Sequence, residues 1–464
     1  MNIDIPTPPI LTTIAQTLAK HHAQAILVGG SIRDYFLGLK CKDWDIEIYG
    51  LATLEELEAI LTPFGKVTTV GKSFGVVKLK HDKNEYDFAF PRSEKKIGVG
   101  HQGFEVSLDG TLSYEKASSR RDFTINSMGY DILTHKLLDP HDGFEDLQKG
   151  IICHIHAHAF KEDPLRVYRA VGFAGRFRFA LHLDTFKLCQ TMVESGELEA
   201  ISNERIFMEW NKLLLKAQKP SIGFELMREL GILRYFGELE ALIGVPQEPK
   251  YHPEGDVWIH TMMSLDAMAH IVDKKSENGL KLLYAILCHD LGKATTTTIE
   301  QGRVRAIGHE KAGVELTKSL MYRLTNNHAF IDSLLPFVEH HLKPSQFYTA
   351  QSKSPAIRRL ATKVTIQELV VVAKADFLGR TTPEAQSGVY EAGEWLLEQS
   401  QKLKVATKPL EHLLQGRDLI ALGLQPSPQF KSILQKVYEM QLEEKITTKE
   451  EALGYVRDRL LVNL

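Results

Sequence analysis

The chain has 464 residues, of which 43% are hydrophobic and 25% charged, and its formal net charge is −3. This composition predicts a soluble globular protein of about three domains and excludes the strongly basic balance of a general nucleic-acid-binding protein. Every apolar stretch falls short of the roughly 18 residues that a membrane-spanning helix needs, and residues 1–9 lack a basic run and a signal-like apolar core.

Cysteine usage indicates a reducing compartment. The four cysteines are scattered and form no CxxC pair. We therefore expect a cytoplasmic protein with neither a structural zinc site nor a disulfide framework.

The residue pattern predicts a mixed α/β head followed by helical modules. Strands are expected over Ala25–Gly30, Asp43–Tyr49, Gly75–Leu79 and Tyr86–Phe90. From Asp139 onward the pattern is helical almost throughout, and turn-rich breaks follow near residues 245–255 and 381–383. These features predict an α+β fold with segments 1–138, 139–246, 247–384 and 385–464.

The first chemical signal is a Gly-Gly turn followed by a strand with alternating carboxylates. Gly29 and Gly30 end an apolar strand and open a helix, so their backbone amides can cradle phosphate. Asp43 and Asp45 should project from one face of the next strand, with Trp44 facing the core. Two neighbouring carboxylates repel each other unless a cation lies between them, and a hard ion such as Mg²⁺ suits them.

A third carboxylate, Asp87, lies on another predicted strand that could neighbour the first. Two-metal nucleotidyl transfer uses three carboxylates, so Asp43, Asp45 and Asp87 are the predicted catalytic set. Glu47 shares the face of Asp45, and we expect it to be a hydrogen-bonding support rather than a ligand.

A polar cluster follows at residues 120–126. Arginine forks such as those of Arg120 and Arg121 suit triphosphate oxygens, and Asn126 could bind a ribose hydroxyl. The alternative is an ordinary helix N-terminus that is capped locally by Asp122 or Thr124.

The next candidate is a pair that could read a base. Asp163 and Arg166 are three residues apart at a predicted helix start, which favours one common face. An arginine donor beside an aspartate acceptor complements cytosine and adenine and would refuse uracil and guanine. A plain salt bridge is the alternative. The segment Glu204-Arg205-Ile206 with Glu209, on another predicted helix, is predicted to support the base-reading arginine through charge-assisted hydrogen bonds.

The second half carries histidines and acids in the order H…HD…D. The predicted metal ligands are His260, His289, Asp290 and Asp376, and the set could extend to His309 and His340. Imidazole and carboxylate ligands suit a divalent transition ion, which can position a phosphate ester for hydrolysis.

The motifs of residues 20–235 together resemble those of bacterial CCA-adding enzymes, the tRNA nucleotidyltransferases of the poly(A)-polymerase-like branch. The resemblance implies a polymerase-β-like head with Mg²⁺ as cofactor, and CTP, ATP and tRNA as partners, without a membrane. It implies that the nucleotide contacts Gly29, Gly30, Arg33, Arg121, Asp122, Asn126, Asp163, Arg166 and Arg169.

The second half resembles an HD-type phosphohydrolase domain, which some of these enzymes carry. This implies a second divalent metal, and phosphatase and 2′,3′-cyclic phosphodiesterase activities. The motifs leave open enzymes that add only CC, only A or poly(A). They also leave open a hydrolase whose head only senses a nucleotide, and a non-catalytic RNA-binding protein. Oligomeric state is not predicted.

Overall fold

The computed structural model describes residues 2–41, 43–70, 75–96 and 104–460. The chain divides into two compact units, one of residues 1–213 and 222–232 and the other of residues 214–221 and 233–464. None of the helices in the described part of the chain combines the length and the apolar composition needed to cross a bilayer. The boundaries proposed from the sequence at residues 138, 246 and 384 remain predictions.

The first strand of the first unit begins at Gln24, and the others follow it along the chain. They are β1 (Gln24–Val28), β2 (Asp45–Tyr49), β3 (Lys66–Val70), β4 (Val76–His81), β5 (Asn84–Ala89), β6 (Arg92–Lys96), β7 (Phe104–Leu108), β8 (Gly129–Asp131), β9 (Leu137–Leu138), β10 (Ile151–Ile152) and β11 (Ala180–Leu181).

The helices of the first unit surround and follow these strands, and α9 continues into the second unit. They are α1 (Pro9–Lys20), α2 (Gly30–Phe36), α3 (Leu54–Leu61), α4 (Tyr114–Ser118), α5 (Gly143–Lys149), α6 (Ala157–Glu162), α7 (Leu165–Phe177), α8 (Leu183–Glu194), α9 (Asn203–Lys216) and α10 (Ser221–Glu229).

Seven strands form one mixed sheet in the order β3-β4-β5-β2-β1-β8-β9. The pair β2–β5 is parallel, and the other neighbours are antiparallel. Ile26, Leu27, Ile46 and Phe88 are completely or almost completely buried. The sheet thus places the end of β1, the start of β2 and the middle of β5 side by side.

The predicted strands are present, but one begins later than expected. β2 starts at Asp45 rather than at Asp43, so Asp43 precedes the strand. Trp44, which we expected to face the core, is only half-buried. The reason is that this segment enters the sheet at its rim, where strand alternation has not yet begun.

The second unit is helical apart from the hairpin β12 (Thr297–Glu300) and β13 (Arg303–Ala306). Its helices are α11 (Gly237–Glu240), α12 (Val257–Ile271), α13 (Gly279–Cys288), α14 (Lys293–Thr296), α15 (His309–Tyr322), α16 (His328–His340), α17 (Lys343–Thr349), α18 (Ser354–Ala361), α19 (Ile366–Leu378), α20 (Pro383–Gln386), α21 (Glu391–Lys402), α22 (Gly416–Ala421), α23 (Gln429–Leu442) and α24 (Lys449–Tyr455).

Helices α12, α13, α15, α16 and α19 pack together in this unit. The Asp256 side chain caps α12 by accepting from the Ile259 amide, and Trp258, Leu283 and Ile286 are fully buried. The chain beyond residue 413 packs its own apolar cluster around Leu419. Side chains on α12, α15 and α19 and side chains that directly follow α13 and α16 lie close together in this bundle.

Candidate active sites

Two strands of the head sheet place carboxylates next to each other. Asp45 on β2 is paired in parallel register with Asp87 on β5, and the Asp87 amide donates to Trp44 O (3.0 Å). Desolvation raises the pKa of the Asp45 carboxyl, and the negative charge of Asp87 raises it further. Asp43 is exposed, just before β2. These hard oxygen donors, which repel one another without a cation, fit Mg²⁺.

A lysine that the sequence did not single out adjoins this group. Lys78 on β4 donates from Nζ to both Asp87 carboxylate oxygens (3.0 and 3.1 Å) and to Glu85 Oε1 (2.7 Å). Lys78 pairs with Asp87 across the β4–β5 hairpin, whose strands are joined by the turn at Asp82 and Lys83, so its spacing about that turn could have identified it.

The Gly-Gly turn runs directly beside the carboxylates. Gly29 has φ +80°, which L side chains rarely adopt. A Cβ at Gly29 would lie 3.5 Å from Asp45 Oδ2 and 3.8 Å from Arg121 Nη1. Gly30 begins α2, and a Cβ there would lie 2.9 Å from Arg33 Nη2. The Gly29 backbone therefore lies directly beside the Asp45 carboxylate, at the start of a helix.

Arg33, predicted to bind the triphosphate, has extensive contacts within the protein. It is 4% exposed and donates to Asp34 Oδ1 from Nε (2.9 Å) and Nη2 (2.6 Å) and to Asn126 Oδ1 from Nη1. Its guanidinium also lies 5.2 and 4.8 Å from the ring centroids of Phe173 and Phe177 on α7. A direct phosphate contact by Arg33 stays a prediction, and it would require one of these contacts to open.

Glu47 acts as the hydrogen-bonding support that we expected. It is 5% exposed, and it accepts from Arg121 Nη2 (2.7 Å) and from the Tyr49 hydroxyl (2.8 Å). This places Arg121 between Glu47 and the Gly-Gly turn.

Asp122, Asn126 and Arg169 form a connected group. Arg169 Nε donates to Asp122 Oδ2 (2.6 Å), and Asn126 Nδ2 donates to Asp122 Oδ1 (3.0 Å). Burial alone would raise the pKa of Asp122, but the charge of Arg169 and these hydrogen bonds outweigh it and hold that pKa below its usual value. The group links the polar 120–126 cluster to α7.

The structure gives Asp163 and Arg166 other partners instead of joining them in the salt bridge that the sequence left open as the alternative. Asp163 precedes α7 with extended backbone angles, so helical i, i+3 spacing does not apply to it. Both its oxygens accept from Arg205 Nη2 on α9 (3.1 and 3.0 Å). Arg166 donates instead to Ala159 O (3.0 Å) and Arg120 O (2.7 Å).

We expected the segment Glu204-Arg205-Ile206 with Glu209 to support the base-reading arginine. Arg205 contacts the aspartate of the pair rather than the arginine. The sequence contained both residues but no signal that α9 returns to the start of α7.

The second unit contains a buried group of six residues, which we call the histidine cluster, with Asp290 at its centre. The group lies on α12, α15 and α19 and directly after α13 and α16. Its members are His260, His289, Asp290, His309, His341 and Asp376. Five of these six residues were predicted as ligands or possible ligands.

His340 was predicted where the structure has His341. His341 is 1% exposed, and its Nε2 lies 3.4 Å from His309 Nε2 and 3.9 Å from Asp290 Oδ1. Burial lowers the pKa of His341 to about 3, so its imidazole is neutral at pH 7. His340 is the last residue of α16 and is not among the clustered ligand atoms. Two adjacent histidines at a helix end cannot be distinguished by spacing alone.

The other three histidines of the cluster also lie close to the carboxylate oxygens of Asp290. His289 Nε2 and His260 Nε2 lie 3.2 and 3.7 Å from Asp290 Oδ2, and His309 Nε2 lies 3.3 Å from Oδ1. His260 Nε2 is also 3.1 Å from Asp376 Oδ1. His289 Nε2 is buried without a hydrogen-bond partner. A divalent transition ion fits this nitrogen-rich set with an unmet donor atom.

Four further residues of this site were missed as site residues. Glu254 Oε1 lies 2.8 Å from His260 Nδ1 and 2.9 Å from His252 Nδ1, which orients both rings. Lys293 Nζ lies 2.7 Å from Asp290 Oδ2, and Arg380 Nη2 donates to Asp376 Oδ1 (2.9 Å). Lys293 follows Asp290 by three residues, a spacing that could have identified it.

The cluster opens into a cavity of about 300 Å³. His252, Lys293 and Arg380 line it together with Tyr251 and Arg305. A cavity of this size with cationic and aromatic walls can hold a small phosphate ester.

Three family models match successive parts of the chain. They are described as "Poly A polymerase head domain" (residues 25–153), "Probable RNA and SrmB- binding site of polymerase A" (residues 178–242) and "HD domain" (residues 257–380). The histidine cluster lies within the last of these ranges.

Curated relatives match most of the chain. The multifunctional CCA protein of Acinetobacter baumannii (strain SDF) is 38% identical over 327 residues, covering 70% of this chain and 75% of that protein. The multifunctional CCA protein of Pasteurella multocida (strain Pm70) is 35% identical over 386 residues, covering 81% of this chain and 88% of that protein.

Solved structures share the fold at lower identity. The Bacillus stearothermophilus CCA-adding enzyme in complex with CTP has a TM-score of 0.65 and 22% identity, covering 99% of both chains. The Thermotoga maritima CCA-adding enzyme complexed with tRNA has a TM-score of 0.58 and 21% identity, covering 98% of this chain and 96% of that one. The predicted fold class, a nucleotidyltransferase head followed by helical modules and an HD domain, is confirmed.

Proposed function

The chain belongs to the family of bacterial CCA-adding enzymes, and we propose that it adds C, C and A to tRNA 3′ ends from CTP and ATP. The structural observation that carries this proposal is the pairing of Asp45 with Asp87 beside the Gly29 turn. The four cysteines are free, which supports a cytoplasmic setting, where thiols stay reduced.

In the head, Asp43, Asp45 and Asp87 would hold Mg²⁺. When bound, the ions would supply charge stabilisation at the α-phosphate and acidify the terminal 3′-hydroxyl. The backbone amides of Gly29 and Gly30 would cradle the triphosphate, and Arg121, held by Glu47, adds positive charge beside them. Asp122 with Arg169 and Asn126 positions the sugar and phosphates.

We assign base choice to Asp163 and Arg166, each held separately. Arg205 fixes the Asp163 carboxylate, while two backbone carbonyls orient the Arg166 guanidinium. An acceptor and a donor kept apart in this way can meet the amino group and ring nitrogen of cytosine or adenine without neutralising each other.

Arg205→Ala should therefore weaken base discrimination. Losing hydrogen bonds to a charged group costs about 1.5–3 kcal/mol, so we expect CTP-over-UTP selectivity to fall about 10- to 100-fold. Single-nucleotide incorporation into tRNA, measured with each of the four triphosphates, checks this. Arg228→Ala removes an arginine of α10 whose Nη1 lies 3.2 Å from Glu225 Oε2 on the same helix, and it should keep selectivity. Unchanged selectivity in the Arg205 variant would refute the support role.

The product ladder on tRNA tests the main activity. A tRNA that ends at the discriminator base, incubated with CTP and ATP, should grow by three nucleotides and stop. Growth by two with CTP alone and none with ATP alone is expected. A ladder that stops at CC would indicate an enzyme that adds only CC, and a need for a preformed CC end would indicate one that adds only A. A ladder that continues with adenylates would indicate a poly(A) polymerase. Each of these results would refute CCA addition.

A second activity is favoured by the histidine cluster and its cavity. We propose that this domain hydrolyses phosphate esters, including 2′,3′-cyclic phosphates. His260, His289, Asp290 and Asp376 would hold a divalent ion, which supplies Lewis-acid activation when bound. Lys293 and Arg380 place positive charge at the same wall, where the phosphate would lie.

A further inference from the structure

The cavity beside the histidine cluster has two kinds of lining. Lys293 and Arg380 bring positive charge to it, next to carboxylates of the cluster. Tyr251, Val304 and Ala306 bring aromatic and aliphatic surface, which a phosphate group does not use. The volume of about 300 Å³ falls within the range, roughly 300–1,000 Å³, of pockets that enclose a whole small-molecule ligand. The apolar lining is therefore available to the rest of a phosphate ester.

The hairpin β12–β13 turns one face toward this cavity. Thr297 is paired with Ala306. Ile299 is paired with Val304 two residues further along, so both pairs lie on the same face of the hairpin. Thr297, Val304 and Ala306 line the cavity, which places Ile299 on the cavity side. Ile299 is nevertheless 66% exposed, so this apolar face is not covered by the packing of the unit itself.

Tyr251 lies in a segment that is fixed to both kinds of lining. Glu248 Oε2 accepts from the Val304 amide of β13 (3.3 Å), and Gln247 Oε1 accepts from Lys293 Nζ (2.8 Å). The Tyr251 amide in turn donates to Glu248 O (3.0 Å). The Tyr251 residue lines the cavity and is 54% exposed. Its backbone is therefore anchored while much of its ring surface is left for a ligand.

A nucleobase fits this combination of surfaces. Bases stack on aromatic side chains, and the ribose of a nucleotide holds the base one sugar away from the phosphate. Lys250 Nζ lies 5.4 Å from the centroid of the Tyr251 ring, so the aromatic surface also carries positive charge beside it, which favours an anionic ligand. Exposed apolar surface next to a charged cavity is typical of a ligand-binding groove.

We propose that Tyr251 and the apolar face of the β12–β13 hairpin form a base platform, on which the base of a nucleotide stacks while its phosphate lies at Lys293 and Arg380. The proposal rests on the proposed hydrolase function. It assigns a binding site to the part of the substrate that the histidine cluster does not contact.

Hydrolysis by the full-length chain with a divalent transition metal tests the base platform. The substrates are adenosine 2′,3′-cyclic phosphate and methyl riboside 2′,3′-cyclic phosphate, which has the same sugar and phosphate but no base. In Tyr251→Ala the KM for the adenosine substrate should rise about 5- to 150-fold, because one base–aromatic stack is lost, and kcat should stay within about twofold. The KM for the base-free substrate should not change.

Two further variants serve as controls for Tyr251→Ala. Tyr251→Phe keeps the aromatic ring and should keep the KM of the original chain. Tyr322→Ala removes a tyrosine of α15 that is 40% exposed and does not line the cavity, and it should leave both KM values unchanged. Thermal unfolding confirms that each variant is folded. An unchanged KM in a folded Tyr251→Ala, or an equal rise for both substrates, would overturn the proposal.

Photolabelling locates the base without reference to hydrolysis. The probe is 8-azidoadenosine 2′,3′-cyclic phosphate, and the labelled peptides are identified by mass spectrometry after proteolysis. Within the second unit, the label should lie on residues 248–252 or 297–306. A label that lies only elsewhere in the second unit, or no label in that unit, would also overturn the proposal.

The base platform and the hydrolase assignment can fail separately. A label on residues 248–252 or 297–306 without hydrolysis of either cyclic phosphate would leave the base platform standing and refute the proposed hydrolase. Hydrolysis of both substrates with equal KM values, and without a label on these residues, would support the hydrolase and refute the base platform.

Discussion

Asp45→Asn should abolish the incorporation of CTP and ATP into tRNA. Asp45 faces Asp87 across two parallel strands, and the asparagine removes one of the three carboxylate charges that would hold Mg²⁺ there. Losing several kcal/mol of transition-state stabilisation corresponds to a rate loss of at least about 10³-fold. Incorporation of labelled nucleotide into tRNA measures it. Because the substitution also removes the repulsion from Asp87, the variant should unfold at the same or a higher temperature without metal.

The control for this variant removes a carboxylate of the β4–β5 hairpin, which carries Asp87. Asp82, whose side chain is 84% exposed, lies in the β4–β5 turn, and Asp82→Asn should incorporate nucleotide normally. The Asp45 variant should still hydrolyse phosphate esters, because the histidine cluster belongs to the other unit. Near-normal incorporation by Asp45→Asn would refute the assignment of the head carboxylates.

Asp290→Asn should abolish phosphate-ester hydrolysis and spare nucleotide incorporation. Asp290 is 1% exposed, and all four clustered imidazoles approach its two oxygens. The asparagine amide is neutral and cannot supply the negative charge that would help to hold a divalent ion here. We therefore expect the hydrolysis rate to fall by at least about 10³-fold. Hydrolysis of a 2′,3′-cyclic nucleotide and of bis(p-nitrophenyl) phosphate measures the loss.

Folding needs its own check for this variant. The substitution leaves the Lys293 ammonium without its carboxylate, which destabilises a buried site. His289→Gln tests the same centre without that charge imbalance and should lose hydrolysis as well. His340→Ala, outside the cluster, should hydrolyse normally. An unchanged hydrolysis rate in a folded Asp290→Asn variant would refute the assignment of hydrolysis to the histidine cluster.

The sequence alone predicted much of the head site because its signals are local. A strand, a Gly-Gly turn and a strand with acids occupy residues 25–49, and the backbone itself brings these parts together. The choice of Asp87 as the proposed third acid also followed from residue type and strand pattern. Its exact pairing opposite Asp45 did not, because register depends on how distant strands pack.

The sequence by itself determined which residues are proposed to carry the chemistry and in what order: the Gly-Gly turn, the head acids, and the histidines and aspartates of the second half. Only the tertiary structure decided their partners. It assigned Asp163 to Arg205, chose His341 over His340, and divided the ligands between the two oxygens of Asp290. The physical reason is that residue spacing along the sequence identifies only neighbours on one helix or strand. Hydrogen bonds and metal sites form between side chains that come into contact only after the helices and strands have packed.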